Sequence, residues 1–354
     1  MYLSRILLQN FRSYSQKLLD LDPKINLIVG PNGSGKTNIL EAVYFLSSGK
    51  SFRASALSQL LSWNQELSSV RAKLQKKDEE YELEVQLYKT PSSTSLSRNF
   101  LLNKVKKTRK AYLDLFQTVI FHPEDIRLVT GSPSRRRDFL DDIFSTFEWR
   151  YTSALSQYQK ALKHRNELLD LIRLNQASPS ETFYWDQSLI KNDEIVHRYR
   201  SDFVKHLNNY FLSHSDSQIN TISLNYHPSH LTAEKLEKNY SLDLRRGHTQ
   251  AGLHRDDFSF DNSIFPSENK DLASWGSRGQ QRLAVLALRL GQIDYLESIY
   301  KSRPVLLLDD IFSELDPEHQ KIVASITRKY QTIFTTSDPN SFQNFTQPIN
   351  LIQL

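Results

Sequence analysis

"IVGPNGSGKTNIL", residues 28–40, joins an apolar run to a glycine-rich loop, then a lysine, a threonine and the start of an apolar-periodic stretch. Gly30, Pro31, Asn32, Gly33, Ser34, Gly35, Lys36 and Thr37 fit the spacing G-x-x-x-x-G-K-[ST]. In that arrangement the N–H groups of the loop and of the following helix surround phosphates, the lysine meets β and γ oxygens, and the hydroxyl sits on Mg²⁺. The flanks agree with it. "KINLIV" (24–29) reads as the buried strand that feeds the loop, and "TNILEAVYFLSS" (37–48) as the helix that leaves it. The bland alternative is a fortuitous glycine turn. The stretch predicts a nucleoside triphosphate site with Mg²⁺.

Such a loop needs an acidic strand end, and "RPVLLLDDIFSELD" (303–316) supplies one. Val305 to Leu308 read as a fully buried strand ending in Asp309, which can hold the Mg²⁺ shell, while Asp310 can polarise the attacking water as general base. The bland alternative is a core strand with a solvated acidic end. Just upstream, in "SWGSRGQQRLAVLALRL" (274–290), Ser277, Arg278, Gly279 and Gln280 open a helix whose Leu283, Leu286, Ala287 and Leu290 recur at helical spacing. A hydroxyl, a glycine and N–H groups at a helix start make a second phosphate-binding end. One chain cannot easily use both ends on one nucleotide.

The chain has 354 residues, 39% hydrophobic and 24% charged, enough for a sizeable core and two lobes. It contains no cysteine, which excludes disulfides, thiolate metal sites and a cysteine nucleophile, and is compatible with a reducing cytoplasm. The start "MYLSRILLQNFRSY" lacks a long apolar core and a small-residue cleavage site, and no apolar run reaches membrane-spanning length. The expectation is a cytoplasmic protein, neither secreted nor membrane-spanning. A net charge of +5 permits an anionic partner such as nucleic acid without demanding one.

Three zones follow along the chain. Strand-like runs at 2–9, 15–21, 24–29, 67–74, 80–88, 98–103 and 117–121, with a helix at 35–47, suggest a mixed sheet with few helices. From Pro123 and Pro133, each at a plausible helix start, the chain to about residue 213 is mostly long polar helix, read as an inserted arm. A strand at 219–227, a helix near 231–239, an irregular stretch around "RRGHTQAGLHRDD" (245–257) and an α/β segment from about 278 complete it. The expected fold is therefore α/β. A P-loop lobe over 1–122 precedes an inserted helical lobe over 123–250, and the rest of the ATPase domain occupies 251–354.

The order P-loop, "SRGQQ", "LLLDD", "SELD" resembles the ABC-type ATPases, in which the signature of one protomer closes on the γ-phosphate held by the P-loop of the other. Within them, "LQNFRSY" (8–14), "GKSFR" (49–53), "HPEDIRLVTGSPSRRRDFLD" (122–141), "GLHRDDFSF" (252–260) and "LLLDDIFSELD" are similar to the RecF family of bacterial DNA replication and repair proteins. The likeness covers nearly the whole chain, and transporter ATPases would not carry "GSPSRRRDFLD" or "GLHRDD". It implies a head like those of chromosome-maintenance and break-repair ATPases, with no long coiled coil. By that resemblance Gly30 to Asn38 form the phosphate loop, and Ser277, Gly279 and Gln280, with Arg278 between them, act in trans. Asp309 is the magnesium-side acid and Asp310 the catalytic carboxylate. Ser313, Glu314, Leu315 and Asp316 form the loop that crosses a dimer interface.

The resemblance further implies a weak, DNA-stimulated ATPase that works as a switch. An ATP-dependent homodimer would grip duplex DNA near single-strand gaps, and slow hydrolysis would release it. RecO and RecR would be partners in loading the RecA recombinase. Two positions depart from the wider ATPase pattern: Asp310 stands where most have Glu, and "IFTTSDP" holds Thr335, Thr336 and Ser337 where transporters place a switch histidine. Arg12 and Arg53 are candidates to reach the phosphates, with salt bridges as the alternative. Lys104, Lys106, Lys107, Arg109 and Lys110, and the triplet Arg135, Arg136, Arg137, are candidates for DNA phosphates, although charge runs are usually solvated faces. His248, His254 and Asp256 suggest a structural or DNA-facing role and no metal. Two other readings stay open from sequence: an ATPase subunit of a membrane transporter, and the ATPase head of a nuclease complex.

Overall fold

The strands of the first third divide by burial pattern into two different sheets in the computed structural model, which describes residues 1–90, 96–214, 218–266, 270–313, 316–338 and 348–354. Tyr2–Phe11 alternates buried and open positions, whereas Ile25–Val29 and Val305–Asp309 are buried almost throughout. Alternation suits a sheet with one wet face, and continuous burial suits a parallel sheet covered on both faces. Accordingly Tyr14–Asp20, Tyr2–Phe11, Leu67–Lys76, Glu79–Lys89, Leu96–Leu102 and Val105–Lys107 form an antiparallel sheet in that order. The second sheet is parallel, in the order Ile349–Gln353, Ile25–Val29, Thr332–Thr336, Val305–Asp309, Thr118–Phe121. The single mixed sheet expected from sequence is thus two sheets, because two of its runs are apolar on both faces and join strands from the far end of the chain.

The helix Lys36–Ser48 contacts strands of both sheets, and Ile39, Leu40, Ala42, Val43, Phe45 and Leu46 are fully buried along it. Leu3, Ile6, Leu8, Val70 and Val85 from one sheet and Ile28, Leu307 and Ile333 from the other close the same core. A helix buried all round is rigidly seated. Its N-terminus is therefore a fixed point for chemistry.

The chain falls into two compact units, 1–125 with 292–354, and 126–291. The second boundary lies near 291 and not near 250, because Asp257–Asn262 pairs antiparallel with Ile222–His227 inside the second unit. That unit holds the helices Pro133–Phe147, Trp149–Arg173, Phe183–Ser213 and Ala233–Arg246, and the residues up to Gly291 of the helix Arg278–Tyr300. Pro133 stands in the first turn of its helix, as the sequence suggests, while Pro123 opens only a 3₁₀ turn, Pro123–Ile126. No helix among the described residues is long and apolar enough to cross a membrane.

Candidate functional site

Strand register assembles the site of the first unit. Thr335 pairs with Ile28 on one side and Asp309 on the other, and Thr336 pairs with Val29. The loop from Gly30 therefore leaves the sheet beside the ends of the two other central strands, the edge where open α/β sheets place ligands. Gly33 (φ 84°) and Gly35 (φ 98°) take left-handed conformations that glycine alone adopts without strain. A Cβ at Gly35 would also lie 2.5 Å from the Tyr14 hydroxyl, which donates to the Ser34 carbonyl at 3.2 Å. Gly35 is the N-cap and brings no side-chain acceptor to the first-turn N–H groups, which suits an anion in that place. Lys36 Nζ donates to the Gly30 and Pro31 carbonyls at 2.6 and 3.0 Å, which holds the ammonium over its own loop.

Asp309 is the hub of the acidic side. It is buried, and its Oδ1 accepts from the Thr37 hydroxyl at 2.9 Å and the Thr335 hydroxyl at 2.7 Å. Its Oδ2 lies 3.6 Å from His122 Nε2. His122 Nδ1 accepts from the Glu124 N–H at 3.1 Å, which leaves Nε2 as the N–H donor facing Asp309. A carboxylate and a hydroxyl this close form a hard oxygen pair, the donor chemistry that Mg²⁺ takes. Asp310 turns out of the strand at φ 48°, and its N–H donates to both the carbonyl and the hydroxyl of Thr335, each at 3.1 Å. Thr335 thereby binds both acidic positions.

Arg12 and Arg53 meet on one buried acid, Glu41, one turn along the P-loop helix. Glu41 accepts from Arg12 Nε and Nη2 at 2.7 and 2.6 Å, from Arg53 Nε and Nη2 at 3.1 Å each, and from the Ser51 hydroxyl. Burial by itself would raise the Glu41 carboxyl, but the bonds from Arg12 and Ser51 and the Arg53 charge outweigh it and hold the group below the usual carboxylate range. Arg53 also donates to the Asn38 side chain. A hollow of about 860 Å³ opens beside this cluster, lined by Arg12, Ser13, Asn38, Arg53 and Trp63 among others. Glu41, Tyr14 and His122 were not singled out from sequence. The one available signal was an acid in the helix between two flanking arginines.

At the other candidate phosphate end, Ser277 and Gln280 form a reciprocal cap: Gln280 N donates to Ser277 Oγ at 3.3 Å and Ser277 N to Gln280 Oε1 at 2.8 Å. As the acceptor in that bond, the serine hydroxyl keeps a hydrogen to donate. Arg278 is exposed, and the position of a Cβ at Gly279 meets only Ser277 Oγ, at 3.9 Å. Of the residues 313–316, expected from the resemblance to cross a dimer interface, Glu314 and Leu315 lie outside the described residues, and Ser313 ends a 3₁₀ turn. Asp316 caps the helix Pro317–Thr327 by accepting from the His319 N–H at 2.9 Å.

The basic candidates separate. Lys104, Lys106 and Lys107 are exposed, the last two on the edge strand Val105–Lys107, where lysines also deter unwanted strand pairing. Arg109 is half-buried and donates to the Ser48 carbonyl at 3.4 Å, while Lys110 is exposed. In the triplet only Arg135 is exposed. Arg136 is buried and bidentate on Asp257, at 2.6 and 2.9 Å, and also bonds the Gly131 carbonyl; Arg137 donates to the Asp256 carbonyl at 2.8 Å. A guanidinium held this way is a structural tie, which corrects its reading as a DNA-facing group.

In "GLHRDD" Gly252, Leu253 and Asp256 are buried, while Arg255 is exposed. Asp256 is buried and accepts from His197, Arg200, Tyr226 and the Ser229 N–H at 2.6–2.9 Å. Burial opposes charge on His197, yet its bonds to Asp193 and Asp256 prevail and push it up to about 9. His254 bonds Tyr158 and the Thr249 carbonyl, and burial lowers it. His248 is exposed beside the Arg246 carbonyl.

The RecF/RecN/SMC N terminal domain family matches residues 2–353. A DNA replication and repair protein RecF of Leptospira interrogans serogroup Icterohaemorrhagiae serovar Lai (strain 56601) is 34% identical over 354 residues, 98% of this chain and 94% of that one. The chain belongs to the RecF family. Two solved structures carry the likeness into three dimensions. One is described as the recombination mediator protein RecF-ATPrS in the RecFOR pathway, with TM-score 0.85 and 29% identity, covering 99% of this chain and 97% of that one. The other, described as RecF-ATP in the same pathway, has TM-score 0.83 and 31% identity and covers 96% and 92%. The fold is accordingly the RecF form of the ABC-type ATPase head.

Proposed function

We propose that this RecF-family chain binds ATP with Mg²⁺ on its first unit and uses it to close a homodimer on duplex DNA near single-strand gaps. The observation that carries the reading is the double hydroxyl grip on Asp309 Oδ1 by Thr37, from the phosphate loop, and Thr335, from the neighbouring strand. It ties the loop to the acidic strand end in the arrangement that phosphoryl chemistry needs. Support for ATP in particular comes from the full-length likeness to structures described as RecF-ATP and RecF-ATPrS.

In this reading the loop and first-turn N–H groups bind the phosphates, and Lys36 leaves its loop carbonyls for the β and γ oxygens. Thr37 and Asp309 hold Mg²⁺, which when bound neutralises charge on the phosphates. Asp310 orients the attacking water and takes its proton, with its backbone anchored by Thr335. Arg12 and Arg53 keep one positive charge in excess over Glu41 beside the loop. Ser277, Gly279 and Gln280 serve the nucleotide of the partner copy. Slow hydrolysis then opens the dimer and releases DNA, with RecO and RecR receiving it for RecA loading. The relatives' name, DNA replication and repair protein RecF, supports DNA over a transporter role. The test is a gel shift on gapped duplex with and without ATP: retention that needs ATP is expected, and equal retention without it overturns the proposal.

A further inference from the structure

The loop 228–231 in the second unit is fastened to buried acids by its own backbone: Ser229 N donates to Asp256 Oδ1 at 2.8 Å and Leu231 N to Asp193 Oδ2 at 3.0 Å. Between these anchors His230 is laid against His197, with ring centroids 3.9 Å apart and its Nδ1 3.6 Å from Asp193 Oδ2. Asp193 and His197 stand one turn apart on the helix Phe183–Ser213, so their side chains share a face. His197 Nδ1 is 2.8 Å from Asp193 Oδ2. One donor atom from each of Asp193, His197 and His230 falls within 4.8 Å of the others.

An imidazolium clamped by two aspartates explains His197 and Asp256, but it leaves two things over. Asp193 is 1% exposed, and its Oδ1, on the same carboxylate as the Oδ2 that meets both imidazoles, has no hydrogen-bond partner among the described residues, a costly state for a buried carboxylate oxygen. The second imidazole is also brought to the same acid by a loop tied down on both sides. The remaining nitrogen of His197, Nε2, bonds Asp256 Oδ1 at 2.9 Å, and Asp256 is itself fixed by Arg200 and Tyr226. A carboxylate behind an imidazole is the support that orients a metal-ligating histidine and raises its basicity.

The geometry points to a divalent transition-metal site formed by Asp193, His197 and His230, with Zn²⁺ as the ion its donor set fits. Two imidazoles and a carboxylate are an open zinc set, with three protein ligands and a fourth position for water. Mg²⁺ and Ca²⁺ want a shell of oxygens, and one carboxylate does not supply it. With bonds of about 2.0–2.2 Å, tetrahedral ligand atoms stand about 3.4 Å apart; Asp193 Oδ2 lies 2.8 and 3.6 Å from the two imidazoles, and the two imidazole nitrogens lie within 4.8 Å of each other. The ion replaces the proton that His197 Nδ1 shares with Asp193. It enters from the side of His230, whose side chain is 55% exposed. Its effect is a clasp that holds the loop 228–231 to the long helix within the second unit.

The test is titration of the chelator-treated full chain with Co²⁺ and then Zn²⁺, without nucleotide. There is no cysteine, so visible Co²⁺ bands of tetrahedral intensity would report histidine and carboxylate ligands alone. A single saturating site is expected, emptied of Co²⁺ by Zn²⁺, with affinity lowered about tenfold or more in His230→Ala and unchanged in His227→Ala. His230 is exposed, so that variant keeps its fold, which circular dichroism checks. Absence of the tetrahedral spectrum in the wild type overturns the proposal, as does equal affinity in the wild type and His230→Ala, or an equal loss in His227→Ala.

Discussion

Replacing Glu41 by Gln tests whether the two arginines near the phosphate loop are set by one buried acid. The Glu41 side chain is 0% exposed and faces four guanidinium N–H bonds, two from Arg12 and two from Arg53. Glutamine keeps the size, removes the charge, and turns a donor amide toward donors. Breaking a buried ion pair costs about 3–5 kcal/mol, and because Arg12 and Arg53 keep 18% and 34% exposure they recover some hydration, which puts the cost near the low end, about 3 kcal/mol. A unit of this size loses about 2–4 °C per kcal/mol, so the unfolding temperature should fall by about 6–12 °C in a calorimetric scan. A double-mutant cycle with Arg12→Gln should show coupling of at least about 1.5 kcal/mol. Because the folded carboxyl is held below its usual range, its contribution is present above the ordinary value. It is lost as pH falls through the lowered one, so the gap between wild type and variant should close below about pH 4. A fall under about 2 °C, or additive single effects, would refute the reasoning.

Lys36→Ala removes the side-chain cation beside the loop carbonyls and should weaken ATP binding about tenfold or more with an unchanged circular dichroism spectrum; unchanged affinity sinks the phosphate-loop assignment. Ser277→Arg should leave ATP binding by the monomer intact and abolish ATP-dependent dimers in sedimentation, and dimers equal to wild type would end the trans role. Reversing Lys104, Lys106 and Lys107 to Glu should weaken DNA binding and flatten its salt dependence, by about 0.9 in log–log slope for each phosphate no longer neutralised. By contrast Arg136→Ala should cost stability, about 1.5–3 kcal/mol, through its partly buried, bidentate pair with Asp257, and leave that slope unchanged.

The strand, glycine turn and helix around residues 30–37 were legible because their signal is local: glycines, a lysine and a hydroxyl at fixed spacing after an apolar run. The double aspartate could be read for the same reason. Their meeting could not, since it depends on Thr332–Thr336 pairing between the two strands, and that order is written in burial on both faces and not in spacing. In the sequence Thr335 is marked only by standing where a histidine is usual. The fates of Arg12, Arg53 and Arg136 were hidden because each is settled by an acid remote in sequence, Glu41 or Asp257. "GLHRDD" gave residue types open to several roles, and burial decides for a structural one at Asp256. The strand Asp257–Asn262 lies in the second unit because its pairing partner, Ile222–His227, is there.

In the proposed function, the Asp310 carboxylate times the release of DNA by activating the water that hydrolyses ATP. Asp310→Asn keeps the size and removes the carboxylate proposed to deprotonate water, so ATP should bind and the dimer should close while hydrolysis fails. The decisive measurement is the lifetime of the complex formed with ATP on gapped duplex DNA, wild type against Asp310→Asn, across a salt series. A longer lifetime for the variant, with affinity falling steeply as salt rises, is the predicted result. Equal lifetimes for the two proteins, or binding indifferent to salt, would contradict the account.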